Sequence, residues 1–277
     1  MAAIFGHEDE WQRFAEVNGR TLDAVNLAHS ATLEMLKSAQ ERTESPEQQT
    51  ILALALACLR EFDEILLLCG NGYGFGANKL LRTFFERVTT LGYLGKHPDK
   101  VSQFKDYTSV HWHKLLTEAE RKHDDVGLSE ENIAKIKADF EGVKSRYQDA
   151  CRRCGEPRLQ GSWTKKPIPD MAEDVDKNLR LLYFNAFLRP TFLIHATHLG
   201  TMTVAKISEG GRAHFFNPDH ERETAVDTLA KAHLLLIFLG IFLNNYLSLG
   251  AEGILEEMGR AYNATRSDPE VAGDVKA

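Results

Sequence analysis

Apolar residues recur every three or four positions along most of the chain, the spacing that places side chains on one face of an α-helix. Between residues 8 and 42 this stripe is interrupted near Gly19, so we predict a helix that is broken there. Residues 45–48, Ser-Pro-Glu-Gln, then carry the signals of a helix N-terminus: a capping serine, a proline in the first turn and a glutamine that closes a capping box. The second helix should extend to about Cys69. We place four charged residues on its solvated face: Arg60, Glu61, Asp63 and Glu64.

A glycine-rich stretch, residues 70–78, follows, and we predict that the third helix begins at Lys79. Dinucleotide-binding and Walker-type phosphate loops both follow a strand, whereas a helix precedes this stretch. Two interpretations stay open. The glycines could form a flexible connector, or their backbone amides and a nearby lysine could bind an anion at the helix N-terminus. The residues of this anion-binding hypothesis are Gly72, Gly74, Gly76 and Lys79, with Arg82 as a second cation.

The remaining stripes continue the helical pattern, with no convincing pair of strands. We therefore predict an all-α fold, a helical bundle of about eight helices in a single domain. Residues 1–45 should form an N-terminal helical extension, residues 46–250 the core bundle, and residues 251–277 a C-terminal helix and a frayed tail. The most apolar run, Leu234–Leu243, is too short to span a bilayer and favours a buried core helix.

Composition narrows the class of protein. Charged residues make up 26% and hydrophobic residues 43% of the chain, as in ordinary soluble globular proteins. A net charge of −7 argues against a broad DNA-binding surface. The acidic first ten residues do not resemble a signal peptide, and four cysteines fit a reducing compartment. We expect a cytoplasmic protein with no membrane partner.

Two short motifs raise the question of metal binding. Glu120 and His123 have the E-x-x-H spacing of di-iron bundles, and His123-Asp124 has the form of the dyad in metal phosphohydrolases. Each motif occurs once, in a charged stretch, which favours a solvated helix end. Cys151 and Cys154 supply half of a zinc site, and the other two cysteines lie far away in helices. We expect no metal and no other cofactor, and we keep a metal-dependent phosphohydrolase as the third functional hypothesis.

Candidate catalytic side chains are most concentrated in residues 182–198, an apolar stretch that also contains Arg189, Pro190 and His195. Burial of polar groups among apolar side chains costs free energy unless the groups are hydrogen-bonded, ion-paired or functional. Positions six apart on a regular helix differ by roughly 120° in direction and about 9 Å along the axis. Arg189 and His195 could therefore meet at one phosphate only if Pro190 distorts the helix or a second subunit contributes. Otherwise His195 is a core histidine and Arg189 a surface or ion-paired arginine.

Several residues around the third helix resemble a bacterial helical family known mainly as a domain of unknown function. The resemblance begins at Gly72-Tyr73-Gly74 and includes Leu80-Leu81-Arg82, Phe85-Glu86-Arg87, Tyr93-Leu94 and His97-Pro98. It continues through Trp163, Met171-Ala172, Tyr183 and the region of His195. It covers roughly residues 50–200, and it implies a helical fold without implying an activity.

A second resemblance rests on Arg189 and His195, whose separation is similar to the R-x(4–6)-H motif of the HEPN superfamily of all-α bundles. Members of that superfamily commonly have a polar residue after the arginine, where this chain has Pro190. The resemblance implies RNA cleavage without metal, usually by a homodimer. His195 would act as general acid or base, and Arg189 would stabilise charge on the phosphate.

The leading hypothesis is thus a HEPN-like, metal-independent ribonuclease, a toxin or antiviral-defence effector that acts as a homodimer on RNA. Arg189 and His195 are its catalytic residues. The residues we expect to support them are Thr191, His198, Arg82 and Glu86. The alternative is a non-enzymatic helical binding or interaction protein that uses the glycine-rich loop.

Overall fold

Helices dominate the computed structural model, which describes residues 8–195, 198, 200, 205–207, 213–215 and 218–266. In chain order the helices are α1 (Glu8–Arg42), α2 (Pro46–Gly70), α3 (Gly74–Lys96), α4 (Val101–Lys122), α5 (Glu130–Val143), α6 (Ile168–Val175), α7 (Lys177–Tyr183), α8 (Arg189–Ile194), α9 (Pro218–Leu247) and α10 (Glu252–Arg266). Two short 3₁₀ turns cover Pro98–Lys100 and Lys144–Tyr147, and a π-helical turn covers Phe184–Leu188. The all-α fold class is confirmed.

The described residues pack into two compact units. One unit contains the chain up to Lys96 and again from Ile168 onward, and the other contains His97–Pro167. In the first unit, α3 packs mainly against α9 and α2, and α1 packs against α9 and α2. In the second unit, α4 packs against α5. The organisation as one domain, with the boundaries predicted at residues 45 and 250, stays a prediction.

The helix ends follow from local chemistry. α1 is interrupted at Asn18 (φ −113°, ψ 20°), one residue from the predicted break, and the Asn18 side-chain amide donates to the Phe14 carbonyl at 3.0 Å. At the start of α2, the hydroxyl of Ser45 accepts from the backbone of Gln48, whose side chain accepts from the backbone of Ser45. Each satisfies a donor that the first turn would otherwise leave unpaired.

The third helix begins five residues earlier than the predicted Lys79. A Cβ atom on Gly74 would lie 2.1 Å from the carbonyl oxygen of Glu221 and 2.5 Å from the nitrogen of Ala225, so glycine lets the backbones of α3 and α9 touch. The amide of Phe75 donates to the Glu221 carboxylate at 2.9 Å, and a carboxylate at a helix N-terminus also favours the helix dipole. This tertiary contact extends the helix through the glycines.

Two short antiparallel hairpins depart from the prediction that the chain has no strand pair. Strands β1 (Gln148–Ala150) and β2 (Pro157–Leu159) pair in the second unit, and β3 (Ala205–Ile207) pairs with β4 (Ala213–Phe215). Each strand has three residues, which is too short for an alternating hydrophobic pattern to be recognised in the sequence.

Within the described residues, one helical stretch, Asp219–Leu247, is long and apolar enough to cross a membrane by length and composition alone. Its most apolar window has a mean hydropathy of 1.9, and 61% of that window is buried. The core helix of a soluble protein meets the same criteria, so this helix is only a weak indication of a membrane span.

Candidate functional site

The segment that holds the predicted catalytic pair is a distorted helix. α7 continues into the π-turn Phe184–Leu188, and the amide of Arg189 donates to the carbonyl of Phe184, five residues earlier. Pro190 has no amide to donate, and a π-turn relieves the crowding of its ring against the preceding turn. The predicted distortion is therefore present. It precedes Arg189, however, and does not lie between Arg189 and His195.

Arg189 and His195 stand at the two ends of α8. Arg189 is the first residue of this helix and is exposed to solvent. His195 follows the last residue, with extended backbone angles (φ −80°, ψ 147°), and is also exposed. The alternative of a core histidine is therefore wrong. In the part of the chain that the structure describes, no hydrogen bond or ion pair joins these two side chains.

Two of the predicted supporting residues meet at α8. The Nε atom of Arg82, on α3, donates to the hydroxyl of Thr191 at 3.1 Å, and that hydroxyl donates to the Phe187 carbonyl at 2.6 Å. The guanidinium of Arg82 also lies over the Phe187 ring, 4.5 Å from its centroid. Arg82 thus anchors the π-turn and the start of α8 to α3.

The remaining supporting residues take different positions. Nη1 of Arg82 contacts the Glu86 carboxylate at 3.1 Å, the intrahelical pair that the sequence spacing predicts. Because the Arg82 side chain is 25% exposed, this pair is partly screened by solvent. His198 is exposed. The structure therefore joins Arg82, Glu86 and Thr191 into one group, with Arg189 and His195 on the surface of the same segment.

The glycine-rich residues divide between a turn and a helix. Gly72 has a positive φ of 75° in the turn between α2 and α3, whereas Gly74 and Gly76 lie inside α3. Lys79 is exposed. The Phe75 amide, next to the proposed anion site, already donates to a carboxylate. Close packing thus accounts for Gly74, and the anion-binding role of these residues stays a prediction.

Gly72 also lines a cavity of about 330 Å³ between α1, the α2–α3 turn and the start of α9. Arg222 in its wall is held by two carboxylates, those of Glu10 and Asp219. Arg13, a second cation of the wall, is exposed. Apolar side chains complete the lining: Phe14, Val17 and Val226. The volume suits a small ligand.

Glu61 is buried, which contradicts the prediction that it lies on the solvated face of α2. The Glu61 side chain is 5% exposed, accepts a hydrogen bond from Thr83, and has its Oε2 atom 3.2 Å from Nη1 of Arg87. Burial raises the pKa of Glu61, whereas the hydrogen bond from Thr83 and the positive charge of Arg87 lower it. Its spacing of three and four residues from the buried Cys58 and Ile65 is the signal that could have identified it.

The residues of the metal hypotheses lie on the surface of the second unit. His123 ends α4 in the left-handed conformation (φ 59°), and Glu120 pairs with Lys137 at 2.8 Å. Glu120 thus forms an ion pair with a lysine at a solvated helix end, the interpretation that the charged sequence favours. Across the residues that the structure describes, no group of three or more His, Cys, Asp or Glu side chains is placed to hold a metal ion.

Comparison with known proteins identifies the family of the chain without identifying its activity. No curated protein and no solved structure matches the sequence. A family model described as a family of unknown function (DUF5677) matches residues 48–211. This range contains the Arg82–Thr191 contact, Arg189 and His195, but neither α1 nor α9. The predicted membership of a helical family of unknown function is confirmed: the chain belongs to DUF5677.

Proposed function

We propose that the protein is a HEPN-like, metal-independent ribonuclease in which Arg189 and His195 act on the RNA phosphate. One observation carries the proposal: both side chains are exposed on a single distorted helical segment, where a polymer can reach them. π-helical turns are frequent at functional sites, and this one directly precedes Arg189. The Arg82–Thr191 hydrogen bond supports the proposal because it fixes the segment on which both groups stand.

The chemistry needs no group beyond these side chains and the RNA. One imidazole nitrogen of His195 would take the proton of the ribose 2′-hydroxyl, whose oxygen then attacks phosphorus. The bond from phosphorus to the 5′-oxygen breaks, and that oxygen takes its proton from the imidazolium formed at His195, which returns to the neutral imidazole. Arg189 would stabilise the charge that develops on the phosphate oxygens. The products are a 2′,3′-cyclic phosphate and a 5′-hydroxyl.

A second copy of the chain completes the site in this proposal. Arg189 and His195 are six positions apart, which on a helix separates them by roughly 120° and about 9 Å. The segment also leaves large apolar side chains in water, as expected for a surface that a partner covers. These are Leu181, Phe184, Phe192 and Ile194, which are exposed by 76%, 59%, 47% and 42%. A homodimer could bury them and bring Arg189 of one copy to His195 of the other.

The test uses the purified full chain with single-stranded RNA in EDTA. The wild type should degrade RNA and leave cyclic phosphate ends. Arg189→Ala and His195→Ala should each lower the rate about 100-fold or more, with unchanged helical circular dichroism because both residues are exposed. Arg260→Ala and His220→Ala, which also remove exposed cationic or imidazole groups, serve as controls. Intact RNA after prolonged incubation with the wild type would overturn the proposal.

Mixing the two inactive variants tests the composite site. If each site takes Arg189 from one copy and His195 from the other, a mixed dimer contains one intact site. After subunit exchange the mixture should recover about a quarter of the wild-type rate. If both residues act from the same chain, no site is restored and the mixture stays inactive. That result would reject the composite site. It would not reject the ribonuclease proposal, which the assay of the wild type tests separately.

A second candidate function is small-ligand binding in the cavity of about 330 Å³ that Gly72 lines. Arg13 favours this candidate because it is a cation of the cavity wall that forms no ion pair with a carboxylate among the described residues, in contrast to Arg222. Inorganic phosphate and adenosine monophosphate are suitable anionic probes. Either should raise the melting temperature of the wild type and not that of Arg13→Ala, while His195→Ala responds as the wild type does. An equal response of Arg13→Ala would reject this site.

A further inference from the structure

The tip of the β1–β2 hairpin holds two cysteines in a closed turn. The Cys151 amide donates to the Glu156 carbonyl at 2.7 Å, and the Gly155 amide donates to the Cys151 carbonyl at 2.8 Å. Gly155 has a φ of +73°, a conformation that glycine adopts without strain. Two backbone hydrogen bonds therefore fix Cys151 and close the turn that contains Cys154.

The same turn brings the two cysteine side chains close to each other. The backbone amides of Arg153 and Cys154 and the thiol of Cys154 all lie near the Sγ atom of Cys151. The turn can thus present two adjacent sulfur ligands at the tip of the hairpin.

This pair differs from the other two cysteines of the chain. Cys154 is exposed and Cys151 is partly exposed, so an ion in solution can reach both. Cys58 and Cys69 are fully buried in α2, and burial raises the pKa of each thiol. Buried, protonated thiols are poor ligands. The thiol chemistry available to solvent is therefore concentrated at the hairpin tip.

We propose that Cys151 and Cys154 bind Zn²⁺, or another thiophilic divalent ion, as half of a tetrathiolate site that the same pair of a second copy completes. Structural zinc takes four ligands in a tetrahedron, and cysteines two residues apart supply adjacent corners of it. Among the described residues, no third His, Cys, Asp or Glu joins the pair. A second copy, related to the first by a two-fold axis through the ion, supplies the two missing ligands from its own Cys151 and Cys154.

The charge of the hairpin tip fits such a site. Four thiolates around one divalent ion leave a net charge of −2, which is costly without compensation. Arg152 and Arg153 are exposed and lie between the two cysteines in the sequence, so two copies contribute four positive charges from the same turns. Each thiol releases its proton when it binds the metal, and no electron is transferred. The site does not rest on the proposed ribonuclease activity.

Titration of the reduced full chain with Co²⁺, followed by competition with Zn²⁺, tests this proposal. Cobalt reports tetrahedral geometry through its visible bands and the number of thiolates through its charge-transfer absorption. We expect one ion per two chains and a four-thiolate spectrum, and EDTA should reverse both. Cys151→Ser and Cys154→Ser should lose both effects. Cys58→Ala, which removes a buried thiol, should retain them.

Three results would overturn the proposal. The first is a cobalt spectrum without thiolate absorption. The second is one ion per chain with two thiolates, which would exclude the second copy as ligand donor. The third is a metal affinity of Cys154→Ser equal to that of the wild type. Mass spectrometry of the untreated protein adds a further check, since a Cys151–Cys154 disulfide that persists under reducing conditions would show that the pair serves as a disulfide instead.

Discussion

The Nε atom of Arg82 donates a hydrogen bond to the Thr191 hydroxyl at 3.1 Å, which joins α3 to α8 across 109 residues of sequence. The Thr191 hydroxyl in turn donates a hydrogen bond to the carbonyl of Phe187, inside the π-turn. The guanidinium lies over the Phe187 ring as well. A single arginine therefore holds the segment that carries Arg189 and His195.

Removal of that arginine should loosen the segment. Arg82→Ala deletes a hydrogen bond to Thr191, an ion pair with Glu86 and a cation–π contact, and we expect it to lower the free energy of unfolding by about 2 kcal/mol. Urea unfolding measures this change. Lys79→Ala, one turn earlier on α3 and exposed, is the matched control and should change it by less than about 0.5 kcal/mol. Equal losses in both variants would show that the Arg82 contacts contribute nothing.

Two glycines of α3 should respond in opposite ways to alanine. At Gly74 a Cβ atom would overlap backbone atoms of α9, which cannot move aside, so Gly74→Ala should destabilise the protein by about 3 kcal/mol or prevent folding. At Gly76 the nearest atom is a flexible Leu68 methyl at 3.6 Å. Gly76→Ala should therefore be neutral or stabilising by up to about 1 kcal/mol, because alanine favours the helix. Thermal unfolding of the two variants checks both signs.

Glu61 and Arg87 should be coupled. Arg87 is the neighbouring positive charge of a buried carboxylate, so Arg87→Leu should cost about 1–3 kcal/mol in the wild type. In a Glu61→Gln background the same change should cost much less, because the amide keeps a partner in Thr83 and carries no charge. A double-mutant cycle by denaturant unfolding measures the coupling. Additive effects of the two changes would contradict the assignment of Glu61 as a buried, charged group.

The pH dependence of Glu61 follows from the direction of its pKa shift. Burial raises the folded-state pKa above the unfolded value, so the folded state binds its proton first as pH falls. The cost of the buried charge is full above the folded-state pKa, shrinks as pH falls through that pKa, and is gone below the unfolded-state pKa. The stability difference between Glu61→Gln and the wild type should therefore shrink on acidification. A difference that grows as pH falls would show that the shift has the opposite sign.

His233 should make the protein sensitive to acid. It is 1% exposed, neither ring nitrogen has a hydrogen-bond partner among the described residues, and its ring packs edge-on against Tyr262. Burial lowers its pKa from an ordinary value near 6.5 to about 4. Between these values the unfolded state binds the proton and the folded state does not, so stability is full above pH 6.5 and falls by about 3 kcal/mol as pH approaches 4.

Replacement of this histidine isolates its contribution from that of the carboxylates. His233→Phe should unfold with a weaker pH dependence than the wild type between pH 6.5 and 4, measured by urea midpoints. His220→Gln, on the same helix and exposed, should keep the wild-type dependence. If the two variants lose stability in parallel as pH falls, the buried imidazole is not the acid-sensitive group.

Local patterns were sufficient for the helices whose ends depend on neighbouring residues. The interruption of α1 at Asn18 and the capping box at Ser45 both follow from short-range chemistry. The start of α3 could not be predicted, because glycines disfavour a helix unless another element compensates. Glu221, 146 residues away from Phe75, provides that compensation through its carboxylate.

The sequence by itself determined the all-α class, the family and the arginine–histidine motif, because helical periodicity and short motifs are local properties of the chain. The tertiary structure alone decided which groups are exposed and which are paired. It places His195 in solvent, buries Glu61 beside Arg87, and bonds Arg82 to Thr191. The physical reason is that burial and hydrogen bonding depend on which helix faces meet, and that choice is made by packing between residues far apart in sequence.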